Sequence, residues 1–110
     1  MDDQLVQDYT ESNEITVVVR EITRLFAPSC IYLYNRRFGA SGGTSAFKLC
    51  VIAGFESKER AEREIYTKID SEIPFDVLLY TQAEWRNLLD SPGTFARKIH
   101  ENGVVVYGQK

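Results

Sequence analysis

A chain of 110 residues that is 44% apolar and 26% charged is one globular domain's worth of protein, which excludes a second substrate-binding domain and a disordered chain. Thirteen basic against sixteen acidic residues give a net charge of −3, the wrong sign for a general nucleic-acid-coating role. No run approaches the roughly 18 consecutive apolar residues of a membrane span, and Met1-Asp2-Asp3 lacks the basic start of a secretory signal, so a cytoplasmic protein with no membrane partner is expected.

In chain order, Ile15, Val18, Val19, Ile22, Leu25 and Phe26 recur with the i, i+3/i+4, i+7 spacing of one helical stripe. Ser12 is its expected N-cap and Pro28 its stop. The β-branched run Thr16-Val17-Val18-Val19 favours a strand locally, but the longer 3.6-residue period outweighs it. Upstream, Leu5, Val6 and Tyr9 either add a helical turn or belong to a frayed stretch over residues 1–11.

Cys30 to Tyr34 and Phe47 to Ala53 read as strands, separated by the small-residue loop from Gly39 to Ser45. From Ser57 a charged amphipathic helix follows, with Ala61, Ile65, Tyr66 and Ile69 as its inner stripe and Pro74 as its limit. Phe75 to Tyr80 is a third strand. Thr81 and Glu84 then have capping-box spacing at the start of a helix carrying Trp85, Leu88 and Leu89. Ser91-Pro92 predicts a further helix with proline in its first position, Asn102-Gly103 its end, and Val104 to Tyr107 a closing strand. The order α-β-β-α-β-α-α-β over residues 1–110 predicts a single α/β (α+β) domain, a small mixed sheet with flanking helices.

Cys30 and Cys50 are in no CxxC arrangement and the chain has one histidine, so neither a zinc site nor a redox pair is indicated. Both read as buried apolar side chains. His100 reads as a surface residue, and Trp85 and the six tyrosines as packing groups, save that Tyr32 and Tyr34 with Arg36 and Arg37 make one cluster suited either to a nucleotide base or to a partner.

The net charge hides an uneven distribution. From Ile22 through Phe55 there is no Asp or Glu, while Arg24, Arg36, Arg37 and Lys48 stand there, so a window of +4 lies within a remainder of −7.

Within that window, Ile31-Tyr32-Leu33-Tyr34-Asn35-Arg36-Arg37, the small-residue loop and Ser45-Ala46-Phe47-Lys48-Leu49-Cys50-Val51-Ile52 resemble the opening of minimal nucleotidyltransferase domains. Ile73-Pro74-Phe75-Asp76-Val77-Leu78-Leu79-Tyr80 is similar to that family's third strand, and the tail from Ile99 to Gly108 to its close. In the family a Gly-Ser pair holds the nucleoside triphosphate and three carboxylates hold two Mg²⁺ ions, which neutralise the attacking and leaving oxygens. Here Asn35 and Arg36 stand in place of Gly-Ser, Ala46 and Lys48 in place of the paired aspartates, and Asp76 alone matches. The resemblance therefore implies the fold without the metal centre: no metal site, no cofactor, and Mg²⁺ and ATP only if the site were active.

The family is often encoded beside small helical HEPN proteins in toxin–antitoxin pairs, so the resemblance implies a non-catalytic, antitoxin-like role through a HEPN-like partner or through self-association. Two alternatives stand beside it. One is metal-independent binding of a nucleotide or phosphate by Arg36, Arg37, Gly42, Gly43 and Lys48. The other is an active nucleotidyltransferase with an atypical site. Lys48 itself has two readings: an ammonium in a metal's place, paired with Asp76, or a solvated side chain at the sheet edge.

Overall fold

The structure, a computed structural model, describes residues 13–110. The expected Ser12 cap and the readings of Leu5, Val6 and Tyr9 lie outside them. The element order is α1 (Asn13–Phe26), β1 (Cys30–Phe38), β2 (Thr44–Ile52), α2 (Lys58–Lys68), β3 (Phe75–Tyr80), α3 (Gln82–Leu89), α4 (Phe95–Asn102) and β4 (Val104–Gly108). This is the predicted order.

The helical period prevails in α1 because its stripe has a core to meet: Ile15, Val18, Val19 and Ile22 are all buried, and burial of one face stabilises a short helix more than local propensity opposes it. Ala27, at a positive φ of 46°, turns the chain out of the helix before Pro28.

The sheet order is β3-β2-β1-β4. β1 runs antiparallel to β2 and β4, and β2 runs parallel to β3, so α2 serves as the crossover that a parallel pair requires. Helices cover both faces. On one, Ile31, Leu33, Leu49, Val51 and Val77 pack with the buried stripes of α1 and α2. On the other, Cys30, Tyr32, Cys50 and Ile52 pack with Ile99 of α4 and Trp85 of α3.

β1 and β2 both extend beyond their apolar runs, to Phe38 and back to Thr44. Their polar ends form a ribbon that side chains stitch: Arg36 Nε donates to Thr44 Oγ1 at 2.8 Å, and its guanidinium lies 4.9 Å from the Phe38 ring centroid. The glycine loop is thereby reduced to a tight turn, closed by Gly39 N–H to Gly43 O at 2.7 Å and Gly42 N–H to Gly39 O at 3.0 Å.

Ser57 caps α2, and Ala61, Ile65 and Ile69 are buried as expected, but the helix closes at Lys68 rather than running to Pro74. Tyr66 is 43% exposed rather than part of the inner stripe. Its hydroxyl accepts the Val77 N–H at 2.9 Å, pinning α2 to β3. The Thr81–Glu84 capping box is formed at the start of α3.

The prediction for α4 needs correction: Pro92 does not open it. Residues 91–94 make a turn through Gly93 at φ 85°, and Thr94 is the N-cap. Its hydroxyl satisfies both sides of the junction, accepting from Arg97 N–H at 3.1 Å and donating to Leu88 O at 2.9 Å. His100 is likewise no plain surface residue. It is half-buried, with Nδ1 2.9 Å from the Tyr32 hydroxyl and its ring edge-on to Trp85.

Among the described residues no helix is long and apolar enough to cross a membrane.

Candidate binding face of the sheet

Alternate residues of a strand share a face, and register partners on neighbouring strands share it too. Ala46 and Lys48 therefore lie on the face of Cys50 and Ile52, the one that α3 and α4 cover. Lys48 is in register with Asp76 across the parallel β2–β3 pair. Across the antiparallel β1–β2 pair, Asn35 stands opposite Lys48 and Arg37 opposite Ala46. Asn35, Arg37, Ala46, Lys48 and Asp76 thus come together at one end of the sheet.

That assembly depends on a bulge. The register shifts between Leu33 and Asn35, so Tyr34 is the extra residue and the faces exchange beyond it. In an unbroken ladder Arg36 would oppose Ala46. With the bulge Arg36 opposes Phe47, on the α1/α2 face, and Arg37 takes the other side. Tyr34 packs against the aromatic cluster beneath α3 and α4 and meets Phe95 edge to face at 5.6 Å.

α3 and α4 cover only the half of this face that carries Cys30, Tyr32 and Ile52. Beyond Tyr34 it is open: Asn35, Arg37, Lys48 and Asp76 are exposed and Ala46 is partly so. A cleft of about 190 Å³, lined by Tyr34, Phe95, Lys98 and Asn102 among others, marks the border between the covered and open halves.

Lys48 and Asp76 are adjacent, yet no ion pair within 4.0 Å joins them, and among the described residues Arg37 and Lys98 hold no carboxylate either. The paired reading of Lys48 is corrected accordingly. In water, attraction between two exposed charges is about 1 kcal/mol at contact and does not hold a flexible ammonium in place. By contrast Arg24, Lys58, Lys68 and Arg97 each meet a glutamate.

The donor set does not fit a two-Mg²⁺ centre. Mg²⁺ requires several oxygen ligands in near-octahedral array; Ala46 offers none and Lys48 brings a positive charge beside the single carboxylate, Asp76. Among the described residues no group of three or more His, Cys, Asp and Glu is placed to hold a metal ion.

The residues of the phosphate-binding alternative are not gathered in one cradle. Arg37 and Lys48 share the open face, Arg36 lies on the other, and Gly42 and Gly43 sit at the exposed turn tip, where the Gly39 and Gly42 amides already serve the turn.

Beneath the covered half, Cys30 and Cys50 are free and buried. Burial pushes the Cys30 thiol up to about 11, with a hydrogen bond to Tyr32 opposing it, and burial drives Cys50 still higher. These thiols are inert packing groups. Burial, then nearby groups that include Asp76, raises the Tyr34 hydroxyl.

Sequence reasoning missed the Tyr32–His100 contact, made between elements far apart in the chain, and the Tyr66 bridge, made between the consecutive elements α2 and β3 by how the helix docks on the sheet. It also missed Phe95 and Lys98 as neighbours of Tyr34; the i, i+3 spacing of the two on α4 was the available signal.

Comparison with protein-family models, curated proteins and solved structures gave no match to this chain.

Proposed function

We propose that this protein is a non-catalytic nucleotidyltransferase-like domain that acts in the cytoplasm by binding a protein partner, with a small helical HEPN-type protein as the partner class. The observation that supports it is the juxtaposition of Ala46, Lys48 and Asp76 on one open face. At the positions where the resemblance calls for carboxylates, the chain presents a methyl group, an ammonium and a single carboxylate. Metal-assisted phosphoryl transfer needs a cluster of negative charge that this arrangement lacks. An open sheet face with exposed charge remains usable for recognition.

The test is a label-transfer assay. The chain is co-expressed with a HEPN-type protein, and the purified mixture is incubated with α-³²P-labelled nucleoside triphosphates and Mg²⁺. A stable complex on size-exclusion chromatography with no label on either protein is the expected result. Mg²⁺-dependent labelling would restore the enzyme reading, and calorimetric binding of ATP in EDTA would favour the phosphate-binding one.

A further inference from the structure

We infer that the open half of the α3/α4 face docks an acidic protein segment that carries an apolar anchor, with Arg37, Lys48 and Lys98 receiving its carboxylates and the Tyr34–Phe95 pair its anchor. This rests on the protein-binding reading above and specifies the chemistry of the partner.

Three cations surround this part of the surface and none holds a carboxylate among the described residues; the one acid on the exposed strand ends is Asp76. Unpaired charges of one sign steer a partner of the opposite sign and fix its orientation. The apolar element lies beside them. Phe95 is 52% exposed, its ring meets Tyr34 at 86°, and the two border the cleft that Lys98 also lines. An aromatic side chain in a cleft, ringed by charge, is the arrangement that carries most of the affinity at protein interfaces.

A single-stranded nucleic acid fits less well. The near-perpendicular rings cannot both offer faces to successive bases, which is what a stacking platform requires. Asp76 stands among the cations and repels phosphate, and the chain as a whole is acidic at −3. A protein segment can place a hydroxyl or amine against Asp76 and glutamates against the cations; a polyphosphate backbone cannot.

The test uses the full chain, ¹⁵N-labelled, titrated with a synthetic helical peptide bearing glutamate on one side and leucine and phenylalanine on the other. A glutamine version of that peptide and an oligothymidylate are run in parallel. The acidic peptide should shift the amides of Tyr34, Lys48, Phe95 and Lys98. Lys48→Glu and Arg37→Glu should each weaken binding about tenfold, whereas Arg60→Glu on exposed α2 should not. Absence of shifts, equal loss in Arg60→Glu, equal binding of the glutamine peptide, or tighter binding of oligothymidylate at these residues would each overturn the inference. The label-transfer assay reads catalysis separately, so failure of the docking face and failure of the non-catalytic reading are distinguishable.

Discussion

Lys48 and Asp76 are register partners on adjacent parallel strands, yet they make no ion pair within 4.0 Å and both are exposed. Strand pairing brings their backbones together, while hydration keeps their charges apart. An exposed acid and base at such positions contribute little to folding.

A double-mutant cycle checks this directly. Lys48→Ala, Asp76→Ala and the double variant should each lie within about 0.5 kcal/mol of the parent in urea unfolding, with a coupling energy below about 0.5 kcal/mol. A coupling of several times that size would mean a formed salt bridge.

Glu84 holds the N-terminus of α3 by accepting from Thr81 N–H at 2.9 Å and meets Lys58 at 2.9 Å. The Thr81 amide, and then Lys58, keep its carboxyl below the usual range. Because the folded value is lowered, the stabilisation is present above the unfolded carboxyl pKa of about 4.3 and is lost as pH falls through the folded value. Glu84→Ala should cost about 0.5–1 kcal/mol at neutral pH, and thermal melts at descending pH should show that difference closing in acid.

The two thiols behave oppositely. Their values are raised by burial, so the stability they contribute is complete below the unfolded thiol pKa of about 8.5 and falls as pH rises through the folded value. Folded protein at pH 8 should react with iodoacetamide roughly a hundredfold more slowly than urea-unfolded protein. Equal rates, followed by mass spectrometry, would contradict the burial of Cys30 and Cys50.

Tyr66→Phe keeps the ring against Phe75, at 5.7 Å, and removes only the oxygen that accepts Val77 N–H. The expected loss is about 0.5–1 kcal/mol, with faster hydrogen exchange at the Val77 amide than at the neighbouring β3 amides.

Gly108 closes the β1–β4 pairing opposite Cys30 at φ 78°, where a Cβ would fall 2.1 Å from Ser29 O. Gly108→Ala should cost about 2 kcal/mol or more, seen as a lower urea midpoint.

What the sequence by itself determined is the set of local features. The stripe of α1, the start of a helix at Ser57, the Thr81–Glu84 box and the strand Phe75–Tyr80 are legible because side-chain period and capping depend on residues within one or two turns of each other. The Asn102-Gly103 end was also legible, though Gly103 is needed there at an ordinary φ of −75° because a Cβ would lie 2.6 Å from Ile99 O. The resemblance pointed to Asn35, Arg36, Ala46, Lys48 and Asp76 as one group. Only the tertiary structure decided which of them share a face. One extra residue at Tyr34 reverses the alternation of β1, so Arg37 joins Lys48 and Asp76 while Arg36 crosses to the other side. A bulge is fixed by what the two strands bury against their helices, here Tyr34 under α4 and Leu33 in the opposite core, and no pattern within a single strand encodes that choice.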